Sequence, residues 1–126
     1  MFKTNLLQLG NFTLHAGGNS YFKIECDALK KKDWETLAKI VSVKYAFGEV
    51  YGIPRGGLQF AKALESYIPY PHPNILIVDD VYNTGMSMEK AKEKFLPKYR
   101  DKNIIGVVAF ARNPTPNWIK PIFQMW

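Results

Sequence analysis

The chain has 126 residues, of which 47% are hydrophobic and 14% aromatic, so it suits a packed core and argues against disorder. Its formal net charge of +6 favours polyanionic partners, either pyrophosphate compounds or nucleic acid. The single cysteine, Cys26, cannot form an intrachain disulfide, no apolar run reaches membrane-spanning length, and the start lacks a signal-peptide pattern. We therefore expect a single domain over residues 1–126, in the cytoplasm, with no membrane partner.

The first third of the chain predicts a β-hairpin followed by an amphipathic helix. Residues 12–15 and 21–25 have the composition of short strands, and the turn-rich residues 16–20 lie between them. Asp33 is a candidate N-cap for a helix that extends to about Phe47. Apolar side chains recur along this helix at helical spacing, namely Trp34, Leu37, Ile40, Val41 and Tyr45.

The middle of the chain alternates strands with helices. A short strand over residues 49–53 leads into a loop and then a helix over residues 58–67. The apolar run at residues 75–78 predicts a buried strand, and Ser87 is a candidate N-cap for a helix that ends at about Tyr99.

A third apolar strand is predicted over residues 103–110, and the proline-rich tail over residues 112–126 is expected to be irregular. The order β-α-β-α-β belongs to the α/β class. It predicts a small Rossmann-like parallel sheet flanked by helices, with an N-terminal hairpin and a short C-terminal tail.

Two adjacent carboxylates, Asp79 and Asp80, follow the buried strand directly. Because ligands of α/β folds bind at the carboxyl ends of parallel strands, this pair is a candidate ligand site for hydroxyl groups or a hydrated cation. Backbone N–H groups at the start of the next helix suit an anion such as phosphate. The alternative is an ordinary strand whose solvated Asp residues cap a turn. The loop residues of this candidate site are Val81, Tyr82, Asn83, Thr84, Gly85, Met86 and Ser87.

A second candidate loop, Pro54-Arg55-Gly56-Gly57, also lies between a strand and a helix. Its glycines permit close approach of N–H groups to an anion, and Arg55 adds a fixed positive charge. The alternative is a tight strand-to-helix turn. Two separate phosphate sites match a ribose that carries phosphate at both ends.

The run from Ile75 to Ser87 resembles the phosphoribosyl-pyrophosphate (PRPP) signature of type I phosphoribosyltransferases. The resemblance implies that Asp79 and Asp80 hold the ribose hydroxyls and act as outer-shell ligands of Mg²⁺. It further implies that residues 81–87 hold the 5′-phosphate and that residues 54–57 form the pyrophosphate loop. The implied reaction is Mg²⁺-dependent transfer of phosphoribose from PRPP to a nucleobase, with release of pyrophosphate.

Two regions compete as the nucleobase site. Residues 10–22 resemble the start of orotate phosphoribosyltransferases, with His15 where that family has Lys, and this makes His15, Tyr21 and Phe22 candidate base contacts. The tail is similar in order and spacing to purine-type members, which makes Arg112, Trp118 and Ile119 candidates as well. The expected base is therefore an orotate-like pyrimidine first and a purine second.

One family feature is missing from the sequence. Type I phosphoribosyltransferases usually carry a long flexible loop before the signature strand, whereas here only a short, proline-rich stretch precedes Asn74, with no Lys or Arg. A lid of this kind excludes water and completes charge stabilisation. A non-catalytic module that binds PRPP or a nucleotide therefore remains the alternative function. A homodimer is the habit of the family, and nucleic acid is not the expected partner.

Overall fold

A computed structural model describes residues 5–13, 19–68 and 71–125, with the backbone alone at Asn19 and Tyr21. The N-terminal hairpin joins β1 (Leu7–Thr13) to β2 (Asn19–Ile24) in antiparallel pairing. The predicted hairpin turn lies mostly outside the described residues, as does His15.

The main body is a four-stranded parallel sheet in the order β3-β4-β5-β6. The predicted α/β class with a parallel sheet is confirmed. The strands are β3 (Glu49–Gly52), β4 (Asn74–Tyr82), β5 (Asn103–Ala111) and β6 (Ile119–Gln124), and the helices are α1 (Lys31–Lys44), α2 (Leu58–Glu65) and α3 (Met86–Phe95).

Alternate side chains of the central strand β4 pack on opposite faces of the sheet. Leu76 and Val78 join the core formed with α1 and α2, whereas Ile77 joins the core formed with α3. Both faces are thus covered, which explains why β4 is a continuous apolar run rather than an alternating one. In the part of the chain that the structure describes, no helix is long and apolar enough to cross a membrane.

The expectation of an irregular tail is wrong, because residues 119–124 form β6, a parallel partner of β5. Pro121 lies within this strand, opposite Val108. An edge strand needs hydrogen bonds on one side only, so a proline is tolerated there although it would break a central strand. Proline content alone therefore hid a strand at the edge of the sheet.

Several helices begin or end at residues other than those predicted from the sequence. Helix α1 begins after Lys30, and Asp33 lies inside its first turn, where its carboxylate accepts the Lys30 N–H at 2.8 Å. Helix α3 is capped by Gly85, not by Ser87, because Gly85 adopts a left-handed φ of +80° that turns the chain into the helix. The helices end earlier than predicted, at Lys44, Glu65 and Phe95.

Candidate functional site

The two strand-end acids lie near the carboxyl end of β4, next to the loop that follows β3. Gly52, the last residue of β3, pairs with Val78, one residue before Asp79. The Ile53 N–H then donates to the Val78 carbonyl at 2.9 Å. The loop Pro54–Gly57 therefore starts beside the acids, as the parallel topology predicts.

Gly56 brings this loop into direct contact with the acids. A Cβ added to Gly56 would lie 2.2 Å from Asp80 Oδ2 and 2.4 Å from Asp80 Cγ. Only glycine allows the loop backbone to approach the carboxylate so closely. Arg55 is exposed beside it, and the Pro54–Arg55 peptide bond is cis.

The second loop is shaped by Gly85 and Tyr82. Strand β4 continues through Tyr82, two residues beyond the acids, and the buried Tyr82 ring lies where a Gly85 Cβ would stand, at 2.6 Å. The Asn83 carbonyl accepts a hydrogen bond from Asn113 Nδ2 at 2.9 Å, which ties the loop to the end of β5. The ten-residue helix α3 begins immediately afterwards, so its first N–H groups face the same end of the sheet.

Each acid is braced by the backbone that follows it. Asp79 Oδ1 accepts the Asp80 N–H at 2.8 Å, and Asp80 Oδ1 accepts the Val81 N–H at 2.7 Å. Burial, together with hydrogen bonding to and the charge of the neighbouring Asp80 carboxyl, raises the pKa of Asp79 to about 8. The Asp79 carboxyl is therefore protonated at a higher pH than an ordinary Asp.

Both loops and both acids line one cleft of about 620 Å³. Of the predicted site residues, Arg55, Gly56, Asp79, Asp80, Arg112 and all of residues 81–87 line it. Pro54 and Gly57, the first and last residues of the Pro54–Gly57 loop, do not line the cleft. The arrangement places two loops whose N–H groups could bind anions beside a carboxylate pair, which would suit a ligand with two phosphate groups and hydroxyls between them.

Arg112 joins the hairpin to the sheet. Its Nη2 donates to Ser20 Oγ and, at 3.0 Å, to the Phe22 carbonyl, and its guanidinium stacks 4.0 Å from the centre of the Phe22 ring. The Arg112 backbone N–H donates to the Tyr82 carbonyl at 2.9 Å. Arg112 therefore holds the hairpin next to the end of β4, and Phe22 packs against Arg112 outside the cleft lining.

Trp118 and Ile119 are not brought to the cleft. Trp118 Nε1 donates to Glu89 Oε1 at 2.9 Å, and Lys92 Nζ lies 4.6 Å from the centre of its ring. Ile119 starts β6 and is 1% exposed in the core on the α3 face. Ile119 is buried and Trp118 is half-buried beside α3, and neither of these two candidate base contacts lines the cleft. His15 and the Tyr21 side chain lie outside the described residues.

One wall of the cleft, formed by the N-terminal hairpin and the segment after it, contains, among the residues that the structure describes, none that the sequence predicted as part of the site. Phe12 and Thr13 of β1 line it, together with residues 23–27 at the end of β2 and beyond. Lys23 and Glu25 form an ion pair of 3.1 Å, and this pair lowers the pKa of Glu25. Alternation along β2 was the available signal, because Lys23 and Glu25 are two residues apart and share a face. Only the position of the hairpin decides that this face meets the cleft.

Cys26 lies on the same wall. Burial raises the pKa of its thiol, and the charges of Asp80 and Glu25 raise it further. The thiol is therefore neutral and a poor nucleophile near neutral pH. In the described part of the chain, no group of three or more His, Cys, Asp or Glu side chains could hold a metal ion by itself.

No family model matches the sequence, and no curated protein matches it significantly. Solved structures do match. An orotate phosphoribosyltransferase from Aeropyrum pernix has 18% sequence identity and a TM-score of 0.74, over 95% of this chain and 89% of that one. The UMP synthase of Leishmania donovani has 22% identity and a TM-score of 0.71, over 95% of this chain and 34% of that one.

A xanthine-guanine-hypoxanthine phosphoribosyltransferase from Helicobacter pylori is also similar, with 20% identity and a TM-score of 0.53 over 71% of this chain and 84% of that one. The chain has the type I phosphoribosyltransferase fold. At these identities the likeness establishes the fold alone. The expected resemblance to type I phosphoribosyltransferases is confirmed at that level.

Within this phosphoribosyltransferase fold the connection from α2 to β4 is short. It runs from Ser66 to Pro73, and it holds no Lys or Arg. Strand β3, which precedes α2, is one edge of the four-stranded sheet. The cleft lacks a long cationic segment from this part of the chain, as the sequence analysis expected.

Proposed function

We propose that this protein is a Mg²⁺-dependent phosphoribosyltransferase that transfers phosphoribose from PRPP to a nucleobase and releases pyrophosphate. The observation that carries the proposal is the meeting of Gly56 with the Asp80 carboxylate, which places the two loops and the acid pair around one cleft. The likeness in fold to phosphoribosyltransferases of orotate and of purines supports the same reaction class.

In this proposal each part of the cleft takes one part of PRPP. Residues 81–87 bind the 5′-phosphate through N–H groups at the start of α3, and residues 54–57 bind pyrophosphate, with Arg55 as the charged donor. Asp79 and Asp80 accept hydrogen bonds from the ribose hydroxyls. The bond from ribose C1 to the pyrophosphate oxygen breaks, the bond from C1 to the base nitrogen forms, and the N–H proton that the base loses is taken up by the departing pyrophosphate or by water.

The acid pair contributes mainly by position. Its oxygens are fixed by backbone N–H groups at 2.8 and 2.7 Å. A carboxylate held in this way can keep the ribose aligned between the base and the leaving group, and alignment is a large part of the catalysis of such displacements. Backbone dipoles of the Pro54–Gly57 loop would stabilise the charge that develops on pyrophosphate.

The donor atoms of the cleft suit a Mg²⁺ ion that is held together with the substrate, rather than a metal ion held by protein ligands alone. Asp79 and Asp80 provide hard oxygen atoms, and no three-ligand cluster exists among the described residues. Mg²⁺ commonly keeps several waters and binds through one or two carboxylates together with substrate phosphates. Bound there with PRPP, the ion would supply positive charge against the developing pyrophosphate charge.

Calorimetric titration of PRPP with and without Mg²⁺, followed by a pyrophosphate-release assay with a panel of nucleobases, tests the proposal. We expect saturable PRPP binding that weakens without Mg²⁺, and release of pyrophosphate with at least one base. No PRPP binding at millimolar concentration would overturn the proposal. The variant Lys62→Ala, on the exposed side of α2, is a matched control that should bind as the wild type does.

A second candidate function is a module that binds PRPP or a nucleotide without turnover. The short α2–β4 connection favours it, because no long cationic lid from that segment closes over the cleft. Tight PRPP binding with no pyrophosphate release for any base would select this function. Turnover with any base would reject it.

We also propose a domain organisation, an oligomeric state, a cellular location and a class of partner for this chain. Residues 1–126 act as a single domain, and the chain forms a homodimer in the cytoplasm with small molecules as its partners. Light scattering of the purified chain tests the homodimer, since a monomeric mass at micromolar concentration would reject it.

A further inference from the structure

We propose that the hairpin wall of the cleft, centred on the Lys23–Glu25 ion pair, selects an uncharged nucleobase and rejects one that carries a carboxylate, such as orotate. This inference rests on the proposed function and deepens it. It reverses the order of bases expected from the resemblance of residues 10–22 to orotate phosphoribosyltransferases.

The place of the base follows by elimination within the cleft. The two loops take the phosphates and the acid pair takes the ribose hydroxyls. Among the described residues, the cleft lining that remains belongs chiefly to the hairpin and to the segment after it, Phe12, Thr13 and residues 23–27. A base attached to the ribose must therefore face this wall.

Carboxylates outnumber available cations on this wall. Glu25 and Asp27 both line the cleft, and so do the acids Asp79 and Asp80. Lys23 is the one lysine that lines the described part of the cleft, and its ammonium is already paired with Glu25 at 3.1 Å. A carboxylate on the base would have to compete with Glu25 for Lys23 while facing the charge of Asp27.

Arg112 is the other cation at this end of the described cleft, and its guanidinium is already bound to the hairpin. Its Nη2 binds Ser20 and the Phe22 carbonyl, and its guanidinium is stacked on the Phe22 ring. Turning it towards a base carboxylate would break the contacts that hold the hairpin in place. Burial also lowers its pKa, which marks a guanidinium partly withdrawn from water.

The wall offers a good surface to an uncharged base. Glu25 and Asp27 present acceptor oxygens for ring N–H and amino groups, and Phe12 adds an apolar surface. The neutral Cys26 thiol adds no charge of its own. Uracil and the oxopurines carry such N–H donors and no carboxylate, so they fit this combination, whereas orotate adds a negative charge to uracil without adding a donor.

The direct test compares uridine monophosphate with orotidine monophosphate, which differ only by the base carboxylate. Calorimetric titration of the full chain with each nucleotide gives two dissociation constants and needs no turnover. We expect uridine monophosphate to bind at least about tenfold more tightly, by repulsion from like charges at close range. Tighter binding of orotidine monophosphate would overturn the inference, and so would binding of neither nucleotide.

Variants at two ion pairs distinguish an effect of the hairpin wall on the preference for uridine monophosphate from an effect of the overall protein charge. Glu25→Gln removes a negative charge and releases Lys23, so the preference should fall at least about threefold. Glu35→Gln is the matched control, because Glu35 pairs with Lys31 on the exposed surface of α1 and should leave the preference unchanged. An unchanged preference in Glu25→Gln would reject the role of this pair.

The pyrophosphate-release assay keeps this inference distinct from the proposed transferase activity. Equal assays with uracil, guanine, hypoxanthine and orotate should give a higher kcat/KM for the uncharged bases. If no base supports release but uridine monophosphate still binds more tightly, the transferase proposal fails and the specificity of the wall stands. If orotate gives the highest kcat/KM, the transferase proposal stands and the specificity fails.

Discussion

Replacing Asp79 with asparagine should stabilise the ligand-free protein at alkaline pH, because the raised pKa of Asp79 means that its ionised form is costly in the folded state. Between about pH 4 and pH 8 the folded protein holds a proton that the unfolded chain has released. The free energy of unfolding of the wild type therefore falls as the pH rises through this window.

The expected gain in the free energy of unfolding follows from the difference between the Asp79 pKa of about 8 and its ordinary value of 3.8. At about 1.4 kcal/mol per unit, the upper bound is about 6 kcal/mol. Asp79 is partly exposed, so water screens the pair, and we expect a net gain of about 2 kcal/mol at pH 8.5. Asparagine keeps the oxygen that accepts the Asp80 N–H, so the local geometry should survive.

Urea unfolding at a series of pH values from 4 to 9 measures this effect, with tryptophan fluorescence, to which the buried Trp34 contributes, as the signal. Asp79→Asn should match the wild type near pH 4, exceed it at pH 8.5, and show a flatter pH dependence. Asp101→Asn, in the exposed turn after α3, is the control and should follow the wild type at every pH. A wild-type stability that rises from pH 5 to pH 8, or no gain in Asp79→Asn, would refute the reasoning.

Three further outcomes are expected. Asp79→Asn combined with Asp80→Asn should abolish PRPP binding in calorimetry while the circular dichroism spectrum is retained; unchanged binding would reject their ribose role. Gly56→Ala should weaken PRPP binding at least about tenfold, because its Cβ would lie 2.2 Å from Asp80 Oδ2, and a wild-type affinity would contradict this contact. PRPP binding at pH 7 should release a proton, measurable as heats that differ between buffers of different ionisation enthalpy, and its affinity should rise with pH up to about 8; buffer-independent heats would count against the raised pKa of Asp79.

Local patterns were sufficient for the three strands β3 to β5 and for most of the two loops that are proposed to bind phosphate. The apolar run before Asp79 marks a strand buried on both faces, because such a strand needs apolar side chains at every position. Gly56 and Gly85 mark backbone positions where a Cβ would collide with Asp80 or Tyr82, and this constraint is visible as glycine in the sequence. The loops follow strands, so their common edge is a consequence of parallel topology.

The hairpin wall and the tail depended on contacts between residues that are distant in sequence. Arg112 looked like a base contact, but it binds Ser20 and Phe22, about ninety residues earlier, and so positions the hairpin. Trp118 looked like a stacking platform, but Glu89 and Lys92 of α3 hold it elsewhere. Such pairings have no local signature, since the same side chains suit either partner.

The sequence alone determined the order of strands and helices as far as β5, the acid pair and the two glycine loops, because spacing and backbone sterics act over a few residues. Only the tertiary structure decided that β6 joins the sheet, that Lys23 and Glu25 line the same cleft as the acids, and that Arg112 binds the hairpin. These features depend on which surfaces pack together, and packing is settled by the whole core. The proposed ligand was thus predictable from the sequence, whereas the charges on the hairpin wall of the cleft were not.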